Sequence, residues 1–205
     1  PGPAGPQGLR GDPGPVGPQG SQGPQGAPGP SGGLTILPFA SHTAPYLSTN
    51  SAGAASNVST FTFGGASPVT TLAANGTVTL AKENQDALSL PFDAVVESIY
   101  MTVNTYVSFT FPAGITVYPF LQLYTAAAGT NIFFPISATK LPLPTGYGGT
   151  VPANTPQAAS VQQLDLPLAA GTRLLIGGHM EITGAGTLAH SYYFYFTGGI
   201  ALRQA

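Results

Sequence analysis

"SIYMTVNTYVSFTF", residues 98–111, sets the fold class. Ile99, Met101, Val103, Val107, Phe109 and Phe111 fall on one side of an extended chain. Tyr100, Thr102, Asn104, Tyr106, Ser108 and Thr110 fall on the other. Successive side chains of a strand point to opposite faces, so this alternation predicts one long strand with a buried face. "GITVYPFLQLYT", 114–125, repeats it, with Ile115, Val117, Leu121 and Leu123 opposite Thr116, Tyr118, Phe120, Gln122 and Tyr124.

Working outward, the same reading extends over most of the chain. "TLAANGTVTL", 71–80, carries Asn75-Gly76 between two strand-like runs, a hairpin signal of the type I′ kind. Further strands are expected near 34–39, 58–63, 86–92, 136–143, 160–166, 172–183 and 188–203. No segment reads as a helix of more than a turn or two. About ten strands in the 172 residues from Leu34, punctuated by Gly, Pro, Ser and Thr, fit an all-β antiparallel sandwich or jelly roll. The stretch from Pro142 to Gln157 holds prolines at 142, 144, 152 and 156 with Gly146, Gly148 and Gly149. Proline cannot donate to a ladder, so an exposed loop carrying Tyr147 is expected there. In a sandwich of this kind the first and last strands are neighbours, so "LTILPF" should pair near "GGIALR".

The second face of these strands is aromatic where a solvated face would be polar. Tyr100, Tyr106, Tyr118, Phe120 and Tyr124 lie on it, and in the last strand Tyr193 and Tyr195 alternate with Tyr192, Phe194 and Phe196. A monomer exposing that surface would be unusual, and tyrosine suits interfaces because it offers apolar area and a hydroxyl. Those seven residues, Tyr100 to Tyr124 and the pair Tyr193 and Tyr195, are the candidate contacts of a homotrimer.

The number three comes from the start of the chain. Gly2, Gly5, Gly8, Gly11, Gly14, Gly17, Gly20, Gly23, Gly26, Gly29 and Gly32 hold a strict three-residue period, separated mostly by Pro, Gln, Ala and Ser. This is the collagen pattern, in which three polyproline-II-like chains wind together and only glycine fits at the axis. Residues 1–33 are therefore expected to be a collagen-like stalk, about 100 Å long at about 3.1 Å per residue. Residues 34–205 are expected to be a trimeric β-head that gathers and registers it. The chain opens inside a triplet at Pro1, so an upstream segment with any leader and an anchor to a surface is expected.

Composition narrows the chemistry. Only 6% of residues are charged and the net charge is −2, which offers no basic field to nucleic acid. No apolar run approaches the ~20 residues of a membrane helix. There is no cysteine. His42, His179 and His190 are the only histidines; His179 and Glu181 share a strand face, but two ligands two residues apart are a weak metal signal. Ser191 beside His190 is no catalytic pair, since neighbours on a strand point apart. Glu83, Asp86, Asp93 and Glu97 lack the spacing of a calcium loop and read as a solvated edge. Arg10-Gly11-Asp12 follows from the triplet phase and suggests pairing between stalk chains. No catalytic residues, metal or cofactor are expected.

Four blocks carry a family likeness: "GGLTILPFAS" (32–41), "ALSLPFDAVVESIYMTV" (87–103), "LPLAAGTRLLIGGHMEITG" (166–184) and "GGIALR" (198–203). Their order and spacing resemble the head of collagen-like exosporium glycoproteins, the BclB-related kind, of spore-forming Gram-positive bacteria. The resemblance implies a homotrimeric jelly roll of the tumour-necrosis-factor/complement type. It also implies display at the spore surface, in the exosporium or an appendage, as a structural fibre tip. An adhesive or ligand-binding tip and a bacteriophage receptor-binding tail fibre are the alternatives. The stalk lacks the Thr-rich triplets of glycosylated relatives, and "LPTGYGGTVPANTPQ" (143–157) is a variable-looking insertion that departs from the family pattern.

Overall fold

The computed structural model describes residues 1–17, 19, 21–22, 33–62, 70–81, 86–186 and 188–205. The chain divides into two units, Pro1–Pro30 and Ser31–Ala205. In the first, residues 1–17 are exposed and belong to no strand or helix. Gly2, Gly5, Gly8, Gly11, Gly14 and Gly17 each face open space in the single chain. Gly20, Gly23, Gly26, Gly29 and Gly32 lie outside the described residues, as does Glu83.

The second unit is built from strands. They are β1 (Thr35–Ala40), β2 (Tyr46–Ser48), β3 (Asn57–Phe61), β4 (Thr70–Thr71), β5 (Val78–Thr79), β6 (Leu88–Ser89), β7 (Ala94–Thr105) and β8 (Phe109–Thr110). They continue with β9 (Ile115–Ala126), β10 (Ile132–Pro135), β11 (Leu141–Pro142), β12 (Thr150–Val151), β13 (Pro156–Leu168), β14 (Arg173–Gly184) and β15 (Ser191–Gln204). One sheet runs β1-β15-β7-β13 with β2 added to β15; the other runs β4-β3-β14-β9-β10-β5, with β11 on β9 and β6 on β14. All the pairings are antiparallel and they nest: β1 with β15, β3 with β14, β7 with β13, β9 with β10. Nested pairing is what results when one long hairpin is rolled onto itself, so this antiparallel sandwich is compatible with a jelly roll.

The expected pairing of first and last strands is present: Thr35 lies opposite Leu202 and Leu37 opposite Ile200. Between the sheets, Ile99, Met101, Val103, Phe194 and Phe196 pack towards Phe61, Val117, Leu121, Leu123 and Met180, all buried. A separate apolar cluster of Val58, Val78, Leu80, Tyr124, Phe133 and Leu175 covers the far side of the second sheet. Two glycines permit close packing inside. A Cβ on Gly178 would meet the Phe61 ring at 2.3 Å, and one on Gly198 would meet the Tyr100 carbonyl oxygen at 2.1 Å.

Several sequence expectations need correction. The long strand ends at Thr105, and Val107, expected inside, is exposed. The Thr105 hydroxyl donates to the Pro152 carbonyl at 2.7 Å and accepts from the Thr155 amide at 3.0 Å. A neighbouring loop is thereby tied across the strand end, and the chain turns before β8. At Asn75-Gly76 the tight turn exists, with Gly76 N–H donating to the Ala73 carbonyl at 2.8 Å. It is not type I′, because Gly76 has φ +78° while Asn75 has no positive φ, and a type I′ turn needs both. Nor do its flanks pair with each other as strands: β4 joins β3 and β5 joins β10. The strand expected at 136–143 is a 3-10 turn, Ser137–Thr139, followed by the two-residue β11. Most of the strand expected at 86–92 reduces to β6.

The 142–157 stretch departs furthest from expectation. Leu143 and Tyr147 are buried, and β12 within it pairs with β8. The Tyr147 ring stacks on Phe194 at 5.6 Å, and its hydroxyl donates to the Val103 and Thr155 carbonyls at 2.9 and 3.0 Å. Prolines and glycines did exclude a long strand, but the bends they impose turn the tyrosine inward. Gly146 allows this, with φ +63° and its missing Cβ site 2.7 Å from the Val117 carbonyl oxygen. Burial pushes the Tyr147 phenol up to about 12.

Candidate assembly interface

The outer face of the first sheet is the surface that stands apart. Phe39, Ile99, Met101, Val103, Phe194 and Phe196 use the inward positions. Alternation then leaves Ile36, Tyr193, Tyr195, Thr197 and Gly199 outward on β1 and β15. On β7 and β13 the outward residues include Tyr100, Thr102, Asn104, Ala158 and Ser160. A Cβ on Gly199 would sit 3.1 Å from the Ile36 side chain, which places the two on the same side. None of these residues is charged. Tyr100 is 49% exposed, Tyr106 47% and Ile36 59%, large apolar exposure for one face.

Aromatic rings gather at one end of this face. Tyr46 lies opposite Tyr193 in register, with ring centroids 5.0 Å apart; Tyr106 sits 6.0 Å from Tyr193 and 5.5 Å from Tyr195. At the other end the charges are satisfied within the chain. Arg203 pairs with Glu97 and, at 2.9 Å, with Asp165. A bulge between Gln162 and Leu166, where Gln163 and Asp165 take positive φ, brings Asp165 there.

Of the seven expected contacts, Tyr100, Tyr106, Tyr193 and Tyr195 lie together on this face. Tyr118 does not: it lies on β9 in the second sheet, opposite Glu181. Phe120 and Tyr124 are corrected outright, because both are buried within the single chain. Tyr124 is covered by the second cluster, where Val58, Val78, Leu80 and Phe133 pack with it, and Phe120 by the His179 ring stacked on it and by Lys140 over its face. Tyr46 was missed by sequence reasoning. It sits in a three-residue strand with no alternation to mark it, and only its pairing with β15 brings it to the tyrosines.

Several titratable groups make contacts within the chain. His179 is fully buried, with Nδ1 at 3.1 Å from the Asn57 carbonyl and Nε2 at 2.8 Å from the Tyr124 hydroxyl. A carbonyl can only accept, so Nδ1 carries the proton and Nε2 accepts from Tyr124. Desolvation pushes His179 down to about 3, so it is neutral. Its ring stacks on Phe120 at 4.8 Å, and Lys140 lies over the Phe120 face at 4.7 Å while pairing with Glu181. Burial raises the Tyr124 phenol above its ordinary range. His42 is exposed, and His190 stacks on Tyr192 at 6.0 Å. Asp86 accepts from Thr60, and Asp93 accepts the Ala170 amide at 2.7 Å, so these acids are spread over separate contacts. Among the described residues no three His, Asp or Glu side chains gather where a metal could bind. No helix among them is long and apolar enough to cross a membrane.

No protein-family model matches the chain, and no curated protein matches it either.

Proposed function

We propose that this chain is a structural surface-fibre protein: a homotrimeric head that aligns a collagen-like stalk and forms its outward tip. The observation that carries it is the patch of exposed tyrosines on the outer face of the first sheet, in a chain that opens with eleven glycines in strict triplet phase. The triplets need three chains to be ordered. The strand that follows them, β1, belongs to the sheet bearing that face. The nested pairing supports a jelly roll of the tumour-necrosis-factor/complement type. The four sequence blocks support a place among exosporium proteins, at the spore surface.

The head drives the stalk. Gln-containing triplets form a weak triple helix, so three chains must be held together before they wind. Tyr193→Glu with Tyr195→Glu puts six charges into the trimer's interface. The double variant should lose both the three-chain mass in light scattering and the polyproline signal in circular dichroism. A double variant that keeps both would show that this face looks at solvent.

A further inference from the structure

Three copies around a three-fold axis meet like on like only beside the axis itself; away from it each interface joins two different patches of the same chain. The outer face of the first sheet carries two distinct patches. One is the aromatic ridge of Tyr46, Tyr193, Tyr106 and Tyr195, whose successive ring centroids lie 5.0, 6.0 and 5.5 Å apart. The other is an open cleft of about 500 Å³ lined by Tyr100, Thr102, Leu141, Pro142, Ser160 and Thr197. Neither patch holds a charged side chain, and the ion pairs around them, Lys140 with Glu181 and Arg203 with Glu97 and Asp165, are closed within the chain.

Resting on the trimer reading above, we infer that the ridge of one copy seats in the cleft of the next, so that ridge-into-cleft contacts close a ring of three. A ligand with charge would find no partner in this cleft. A row of phenol rings would find Thr and Ser hydroxyls for its own hydroxyls and Leu141, Pro142 and Tyr100 for its ring faces. The second copy is already required by the triplet repeat, so the occupant of the cleft is another copy of this chain.

The test uses the full chain, light scattering for mass, and tyrosine nitration read residue by residue in a mass spectrometer. Tyr124 and Tyr147, buried inside one chain, serve as internal controls. Ser160 and Thr197 are exposed in the single chain, so Ser160→Arg and, separately, Thr197→Arg fill the cleft without touching the core. The expected result is a three-chain mass for the unaltered protein and a single-chain mass for the arginine variants with β-structure retained. Tyr46, Tyr106, Tyr193 and Tyr195 should nitrate at least tenfold more slowly in the unaltered protein than in the variants. Variants that stay trimeric, or ridge tyrosines equally reactive in both states, would overturn the ridge-into-cleft contact while leaving the trimer standing. A single-chain mass for the unaltered protein would overturn the trimer reading itself, and this inference with it.

Discussion

Replacing Tyr147 with alanine should destabilise the head severely, although the residue sits in the stretch richest in proline and glycine. The ring is 2% exposed and stacks on Phe194. Its hydroxyl bridges the Val103 carbonyl of β7 to the Thr155 carbonyl of the loop. Deleting a buried aromatic side chain typically costs about 3–5 kcal/mol, the transfer term plus the cavity left behind. Tyr147→Phe keeps the ring and removes only the hydroxyl. It takes away the hydroxyl donor to the buried Val103 carbonyl, while the Thr155 carbonyl keeps the Thr105 amide at 3.4 Å, and should cost about 1–2 kcal/mol. The stacked ring therefore accounts for the larger part, about 2–3 kcal/mol by difference. Urea unfolding at one fixed protein concentration reads both. With a slope of about 2 kcal/mol per molar, the alanine variant should shift the midpoint down by about 2 M and phenylalanine by less than about 1 M. A midpoint shift under about 0.5 M for Tyr147→Ala would mean that the loop is not anchored in the core, and the reasoning about 142–157 fails.

Two further perturbations test the interior. His179 titrates near 3 when folded against about 6.5 when unfolded, so the unfolded state binds the extra proton between those values. Stability from this group is complete above about pH 6.5 and falls by about 1.4 kcal/mol for each unit of acidification down to about pH 3. His179→Gln should remove that dependence, and an unchanged slope in acid denaturation would contradict the assignment. Gly178→Ala drives a methyl into the Phe61 ring, which is also packed on Phe39 and Phe196, so it should cost about 1–3 kcal/mol by overpacking. A neutral effect in thermal unfolding would show that Phe61 can move aside.

The period-two pattern made β7, β9 and β15 legible because each has one face on the inter-sheet core, where alternation and burial coincide. The pairing of β1 with β15 was legible for a topological reason, since the ends of a rolled hairpin meet. What the sequence hid was the second apolar cluster. Val78, Leu80 and Phe133 belong to strands of two to four residues or their flanks, too short to show a period, and they bury Tyr124 on the side that alternation assigns to the outside, where His179 and Lys140 cover Phe120. Tyr147 was hidden for a different reason. Proline and glycine report where a chain bends and say nothing of which side chains the bend turns inward. On the candidate interface, Tyr100, Tyr193 and Tyr195 sit on strands long enough to read and Tyr106 directly follows one, whereas Tyr46 lies in a strand of three residues.

The most direct measurement is the mass of the intact chain in solution, followed by light scattering as the temperature rises, with circular dichroism recorded on the same sample. The account predicts about 62 kDa, three times the 20.7 kDa of one chain, with the polyproline signal and the three-chain mass lost together. A folded β-head at 20.7 kDa, or a triple-helical signal that survives dissociation of the heads, would contradict it.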